Sequence, residues 1–302
     1  MTKRSWQRVD GVLLLDKSAG MTSNSALQSA RRLFSAAKAG HTGTLDPLAT
    51  GLLPLCFGEA TKFSTDLLEA DKTYEADLLF GVTTDTGDAE GKVLVCLPVE
   101  FSQSDLETVL QRFRGPISQV PPMYSALKRD GKPLYELARQ GIEVERAARN
   151  VTIHELTLLE FAGERCRLRV SCSKGTYIRT LAEDIGAALA CGAHLTALRR
   201  TAVGSLRIED ALTLDSLNAF SDAERSAVLQ APDALLQKLP AVYLDEQDAV
   251  RFCHGNPVSA EVAPGRCRVY DQSRLLGLGE ADSDGQLRPR RLVVCDQLPA
   301  VQ

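Results

Sequence analysis

Between Cys166 and Cys172 the apolar residues Cys166, Leu168, Val170 and Cys172 alternate with Arg167, Arg169 and Ser171. The alternation stops at Lys174-Gly175 and is followed by Ile178, Leu181, Ile185 and Leu189 at helical spacing, running to Cys191-Gly192. A period of two that gives way to a period near 3.6 specifies a half-buried strand and then an amphipathic helix. Strands and helices alternate along the rest of the chain as well. Gly11 to Leu15 reads as a short apolar strand ending at Asp16-Lys17. Ser23 or Asn24 then caps a helix bearing Leu27, Ala30, Leu33, Phe34 and Ala37. Thr73 to Val82 reads as a strand with Tyr74, Ala76, Leu78 and Phe80 on one face, and Ser104-Asp105-Leu106-Glu107 as a capping box opening a helix with Leu106, Val109, Leu110 and Phe113 inward. A boundary is expected near Leu239-Pro240. Leu214 to Leu236 before it is mostly helical; after it come a short strand, a helix over Glu246 to Cys253 and short β segments punctuated by Gly255-Asn256-Pro257, Pro264-Gly265 and Asp284-Gly285. The expected domains are therefore residues 1–240 and a small β-rich module, residues 241–302.

Composition excludes several classes. With 302 residues, 44% hydrophobic and 25% charged, the chain is of ordinary globular type. The eight cysteines (56, 96, 166, 172, 191, 253, 267, 295) contain no C-x-x-C pair, so neither a zinc site nor a disulfide framework is indicated. The N-terminus, Met1-Thr2-Lys3-Arg4-Ser5-Trp6, is polar, and no run approaches the roughly 20 apolar residues of a membrane span. A cytoplasmic protein with no membrane partner is expected. The net charge of −4 argues against a strongly basic nucleic-acid protein, but local patches decide such binding, not the total.

The chemistry concentrates in Gly40-His41-Thr42-Gly43-Thr44-Leu45-Asp46-Pro47-Leu48-Ala49-Thr50-Gly51. A proline pushes the residue before it out of the helical region, and the glycines permit unusual backbone angles, so Asp46 is displayed on a shaped loop. An Asp-Pro turn accounts for the same letters. If Asp46 is a nucleophile, it must stay ionised in a partly dry pocket, which calls for a neighbouring cation. Arg179, in Gly175-Thr176-Tyr177-Ile178-Arg179, is the candidate, since it begins a helix just after a strand. Tyr74 has a ring that can stack on a base and a hydroxyl that can handle a proton, although a cross-strand core tyrosine fits the pattern equally. Thr83-Thr84-Asp85-Thr86-Gly87-Asp88 reads as a turn rich in side-chain to backbone bonds; a metal site joining His41, Asp46 and Asp88 follows no recognised ligand spacing. Arg288, Arg290 and Arg291 are candidate phosphate contacts.

Six motifs in order resemble the bacterial TruB-type tRNA pseudouridine synthases over nearly the whole length. They are Asp16-Lys17-Ser18-Ala19-Gly20-Met21-Thr22-Ser23, Gly40 to Pro47, Lys72-Thr73-Tyr74, Val120 to Lys128, Gly175 to Thr180, and Leu195 to Thr201. His254-Gly255-Asn256-Pro257-Val258 and Arg290-Arg291-Leu292-Val293-Val294 resemble a PUA-like RNA-binding domain. Ser18 stands where the family usually has proline, which loosens the loop after the first strand.

The resemblance implies an α+β fold: a central, mostly antiparallel mixed sheet flanked by helices, with the PUA-like module at one end. It implies isomerisation of uridine 55 in the T-loop of tRNA, with Asp46 as catalytic aspartate, Arg179 paired with it, and Tyr74 stacked on the target base. Tyr177 and Leu198 would line the uracil pocket, and His41 would fill the space left by flipped nucleotides. The reaction exchanges a C1′–N1 bond for a C1′–C5 bond on one ribose, so no cofactor and no metal are expected; the partner is the T-arm stem-loop, without a guide RNA, and a monomer is expected. Whether Asp46 attacks C1′ or C6, or promotes a glycal, is left open by the sequence. Pro121 to Gly141, with Tyr124, Lys128, Arg129, Lys132 and Arg139, is expected to be an arm that orders on RNA. Arg31, Arg32, Lys128, Arg129, Lys132, Arg199 and Arg200 are the expected phosphate contacts around the cleft. Other readings are an RNA-remodelling protein, a guide-dependent synthase, disfavoured for want of a long basic extension, and a metal hydrolase.

Overall fold

The structure is a computed structural model and describes residues 5–125, 127–129, 131–272 and 274–294. Cys295 and the outermost N-terminal residues 1–4, both used above, lie outside the described residues. Nine strands make the main sheet. They are β1 (Gly11–Lys17), β2 (Ala39–His41), β3 (Thr50–Phe57), β4 (Lys72–Phe80), β5 (Gly115–Gln119), β6 (Arg149–Ala162), β7 (Arg165–Cys172), β8 (Ala193–Val203) and β9 (Leu206–Arg207). Their order is β1-β3-β8-β4-β7-β6-β5, with β2 on β3 and β9 on β8. Every pairing is antiparallel except β8 with β3, which meet in parallel at Arg199↔Thr50 and Arg200↔Gly51. The mixed, mostly antiparallel sheet flanked by helices is the architecture expected.

Helices α1 (Ser23–Leu33), α2 (Gln103–Arg112) and α3 (Ile178–Ala188) cover the sheet. Helices α2 and α3 close one core cluster over β4, β6 and β7, with Leu78, Leu168, Val170, Leu181 and Ile185 at its centre. Helix α1 closes a second over β1 and β3. β1 is buried on both faces: Leu13 and Leu15 point into that second cluster, Val12 and Leu14 into a third. This is why the strand reads as a continuous apolar run. Each fully buried leucine of this kind contributes about 1.5–3 kcal/mol.

Two helix starts differ from the sequence reading. The cap of α1 is Thr22, whose side chain accepts from Ser25 N; Ser23 is buried and used elsewhere. The capping box of α2 is Ser102 with Asp105, not Ser104 with Glu107. Glu107 instead accepts from Gln103, at a distance of 2.8 Å. In both cases two hydroxyl residues compete for the cap, and the one whose partner lies three positions on inside the turn wins.

The second sheet consists of β10 (Ala241–Leu244), β11 (Val258–Ser259), β12 (Gly265–Asp271), β13 (Arg274–Ala281) and β14 (Gln286–Leu292), in the order β10-β12-β13-β14-β11, with helix α4 (Glu246–Cys253) packed on it. It is not detached from the rest. Leu275, Leu278 and Val293 join the third cluster beside Leu235 and Leu236. Lys62 Nζ donates to Leu292 O at 2.9 Å, Glu59 accepts from Val294 N at 2.7 Å, and Arg266 pairs with Asp66 at 2.8 Å. Among the described residues no helix is long and apolar enough to cross a membrane.

Candidate active site

The loop between β2 and β3 carries Asp46, and the segment after β1 holds it on both sides. Ser23 Oγ donates to Leu45 O at 3.0 Å and accepts from Leu45 N at 2.8 Å. On the other side of Asp46, Pro47 O accepts from Gly20 N at 2.9 Å and lies 3.5 Å from Lys17 Nζ. Lys17 is fully buried and donates also to Ser18 O and Met21 O. Burial lowers its pKa to about 8, with Asp46 pulling the other way. Ser18 enters this clamp through its carbonyl, and its side chain is exposed.

Arg179 stands in the first turn of α3 and is 6% exposed. One of its terminal nitrogens lies 2.9 Å from Asp46 Oδ2 and donates to Tyr124 O at 2.6 Å. The other donates to Thr86 O at 3.0 Å and lies 3.6 Å from Asp88 Oδ2. Asp88 is itself buried, and its Oδ1 accepts from Thr86 Oγ1 at 2.6 Å and Glu90 N at 3.1 Å. The Thr83–Asp88 turn is thus the bonded turn expected, with a use the sequence did not show: it aims Asp88 at the far side of the guanidinium. Asp46 is left half exposed, an acceptor facing the opening. The turn before α3 is pinned by Gln119 of β5, buried, which accepts from Tyr177 N at 3.1 Å and donates to Tyr177 O at 3.3 Å.

A pocket of about 250 Å³ opens beside Asp46, lined among others by Tyr74, Tyr177, Arg179, Leu198 and Arg200. Tyr74 and Leu198 both pack against the α1 cluster and the α2/α3 cluster, so the pocket lies where the two meet. Five of the six expected site residues, Asp46, Tyr74, Tyr177, Arg179 and Leu198, are brought together here. His41 does not line the pocket; it pairs in β2 with Leu55, its Nδ1 is buried without a hydrogen-bond partner among the described residues, and burial lowers its pKa. Burial raises the Tyr74 and Tyr177 phenols. Among the described residues no group of three or more His, Cys, Asp and Glu side chains is placed to hold a metal ion. Asp46 and Asp88 face the same arginine instead.

Arg200 corrects an expectation. Placed by sequence among the phosphate contacts, it is 1% exposed, with Nε donating to Leu52 O at 2.7 Å and a terminal nitrogen to Gly43 O at 3.2 Å. The physical reason is strand alternation. Arg199 faces out and pairs with Asp16 through two bonds of 2.7 and 3.0 Å, whereas its neighbour Arg200 must face in. The backbone at Arg200 approaches Gly51 so closely that a Cβ there would stand 2.3 Å from Arg200 O; at φ +100° only glycine fits. Arg31 is likewise engaged, donating to Ala36 O and Ala37 O and covering Trp6 at 4.5 Å. The arm folds as a short hairpin, Lys128–Arg129 with Lys132–Pro133, and a helix over Leu134–Arg139; Ala126 and Asp130 lie outside the described residues. The sequence reading missed the roles of Lys17, Ser23, Asp88, Gln119 and Arg200. Only the position of Lys17 and Arg200 inside apolar strand patterns signalled that they are buried.

Similarity to known proteins follows the same lines. Residues 31–178 match the TruB family pseudouridylate synthase (N terminal domain), residues 179–241 the tRNA pseudouridylate synthase B C-terminal domain, and residues 240–293 Pseudouridine synthase II TruB, C-terminal. A protein of Dechloromonas aromatica (strain RCB) named tRNA pseudouridine synthase B is 62% identical over 292 residues, covering 96% of this chain and 98% of the relative. One of the same name from Azoarcus sp. (strain BH72) is 60% identical over 286 residues, 94% and 95% of the two chains. Among solved structures, a chain of the archaeal box H/ACA sRNP Nop10-Cbf5 complex superposes with a TM-score of 0.74 at 22% identity, covering 97% of this chain and 89% of that one. A chain of a Cbf5-Nop10-Gar1 complex gives 0.70 at 26% identity, with 93% and 84% covered.

Proposed function

We infer the chemistry from one premise: this chain belongs to the TruB family of pseudouridylate synthases, and it is a tRNA pseudouridine synthase, an isomerase acting on uridine in tRNA. We propose that its target is uridine 55 in the T-loop and that Asp46 is the reacting carboxylate. The observation that carries this reading is the Asp46–Arg179 pair. A half-exposed carboxylate sits 2.9 Å from a buried guanidinium, at the mouth of a pocket that also presents the Tyr74 ring.

Asp46 must be ionised to act on the nucleotide, and Arg179 favours the ionised form at close range. Arg179 itself is held by two backbone carbonyls and by Asp88, so it does not have to reorganise as charge develops. The pocket takes a base only if the nucleotide leaves its stack, which costs a few kcal/mol, roughly. Stacking on Tyr74 and contact with Leu198 and Tyr177 offset part of that. Within the pocket the C1′–N1 bond breaks, the base turns and C1′–C5 forms; C5 then loses one proton and N1 gains one, so the balance closes without oxidant, reductant or leaving group. His41, on the adjoining β2, is assigned to the space the flipped nucleotides vacate. In this reading residues 1–240 perform the chemistry and residues 241–302 add RNA affinity, as a monomer acting on tRNA directly in the cytoplasm, with no guide RNA.

The test is to incubate the pure protein with a T-arm stem-loop and map pseudouridine at single-nucleotide resolution. Modification at the position equivalent to 55, insensitive to a chelator, is expected. Modification confined to another uridine would overturn the assignment of position. Loss with chelator and recovery with a divalent ion would overturn the aspartate mechanism.

A further inference from the structure

The chemistry above gives no part to the corner of the molecule where α1 turns into β2. Trp6, the chain's single tryptophan, stands there with 46% of its surface exposed. Its backbone is held in place. The next residue, Gln7, donates its N–H to Ser35 O at 2.8 Å, accepts from Ala37 N at 2.9 Å, and donates through its side chain to Phe34 O at 3.3 Å. Arg31, from the last turn of α1, lies over the indole with Cζ 4.5 Å from the ring centroid. That guanidinium is itself fixed, donating to Ala36 O at 3.0 Å and to Ala37 O at 2.8 Å. One face of the ring is therefore backed by a pinned cation, and the exposed surface belongs to the other face. Arg32 and Lys38, both exposed, flank the same turn. Among the described residues no carboxylate pairs with Arg31, Arg32 or Lys38, and Asp10, in the Trp6 segment, is engaged by Arg8 at 2.9 Å and by Glu59 N at 2.7 Å.

We propose that the Trp6–Arg31 stack is a second nucleotide site, where an unpaired base of the bound tRNA stacks on the open face of Trp6 while Arg32 and Lys38 meet the flanking phosphates. The proposal rests on the reading above, in which the RNA is tRNA with its reacting uridine at Asp46. An aromatic face beside cations that lack counter-ions is complementary to a nucleotide: the base supplies a π-face and the phosphate the charge. The same cations favour a polyanion over an apolar protein segment as the occupant of this surface. The site also lies on the way to the reacting loop. Lys38 leads directly into β2, whose three residues Ala39–His41 run toward the loop of Asp46. At about 3.3 Å per residue, Lys38 and His41 are roughly 10 Å apart. About three stacked nucleotides, at roughly 3.4 Å each, span that distance, so RNA seated in the cleft reaches Trp6. Arg31 thus serves RNA by backing the ring, not by meeting phosphate, and the site contributes affinity and orientation without entering the bond-making steps.

Because Trp6 is the chain's single tryptophan, its emission reports this site in the unaltered full-length protein. Titration with a tRNA transcript should quench that emission by about half or more, at the midpoint that filter binding gives for the same complex. The midpoint should move to higher RNA concentration as salt rises. A fully paired RNA duplex, at concentrations where it is bound, should leave the emission within about a tenth of its starting value, since it offers phosphates but no free base. Emission unmoved by saturating tRNA, or quenched equally by the duplex, would overturn the proposal. Trp6→Ala should weaken tRNA binding at least about fivefold, while Trp6→Tyr, which keeps a stacking ring, should stay within about twofold of wild type. Equal affinity of Trp6→Ala and wild type would also overturn it. If Trp6→Ala does not fold, the quenching titration on the unaltered chain decides. None of these measurements requires turnover. Quenching by tRNA without pseudouridine formation would refute the functional reading and leave this site standing, and modification of uridine 55 with Trp6 emission unmoved would do the reverse.

Discussion

The arginines of the cleft and two on the last strand of the second sheet, Arg288 and Arg290, are held in opposite ways. Arg179 and Arg200 are 6% and 1% exposed, and most of their bonds go to backbone carbonyls of distant segments. Arg288 and Arg290 of β14 have side chains 57% and 60% exposed, and each pairs with a single surface carboxylate, Asp282 or Glu280. A backbone carbonyl cannot swing away, so the first kind is a fixed charge that a reacting group meets ready-made. The second kind is a solvent-screened pair, which exchanges readily for a phosphate. One region is arranged for chemistry and the other for adjustable contact.

The sharpest attempt to break this contrast is Asp46→Asn. Turnover should fall at least a hundredfold, roughly, with tRNA affinity nearly unchanged, since only the reacting carboxylate is lost. Single-turnover activity above about a tenth of wild type would end the assignment. Next is Asp88→Asn, at a buried residue that does not line the pocket. Freed on one side, Arg179 should hold Asp46 less firmly, and the rate should drop about tenfold with half-saturation little changed. An unaffected rate would mean that Asp88 is a packing residue only.

The surface arginines should behave differently. Arg288→Gln with Arg290→Gln is expected to weaken tRNA binding about two- to fivefold, to flatten the salt dependence of binding, and to leave the single-turnover rate at saturating enzyme as it was. A slowed chemical step in that variant would erase the division between the regions. Substitution is a cleaner probe than removing the module. Deletion would uncover Leu235, Leu236 and the other third-cluster residues that Leu275, Leu278 and Val293 cover.

The smallest expected effect concerns pH. Lys17 has its pKa lowered to about 8 by burial, from 10.5 in the unfolded chain. Between those values the unfolded chain binds more protons than the folded one, so this residue's contribution to stability rises with pH. Below about 8 both states are protonated and the cost of burying the ammonium is present in full. Comparing wild type with Lys17→Met by thermal melting from pH 7.5 to 10, the difference should shift in favour of wild type by a few degrees, roughly. Lys72, lowered to about the same value, is common to both proteins and cancels. A constant difference would show that Lys17 does not titrate there.

How much was legible in advance depended on the range of the interaction. The strand over 166–172 and the helix after it, the loop presenting Asp46, and the grouping of Asp46, Tyr74, Tyr177, Arg179 and Leu198 follow from local pattern and from motifs resembling one family. Hydrophobic period and turn chemistry act over a few residues, and there the letters suffice. The choice between Ser102 and Ser104, and between Thr22 and Ser23, was missed because both hydroxyls satisfy the local rule. Only the position of Leu45, 22 residues along the chain, claims Ser23.

The chain by itself determined that there is an exposed carboxylate on a shaped loop, a cation at the head of α3, and a tyrosine on β4 to accompany them. Which arginine is buried and which faces solvent, and that Asp88, Gln119 and Lys17 act by holding other residues, was decided by the tertiary structure. Arg199 and Arg200 are identical letters in sequence. Sheet register sends one to Asp16 at the surface and the other beneath Gly51 against Tyr74. A charge takes its function from its solvation and its partners, and both are set by segments more than a hundred residues away.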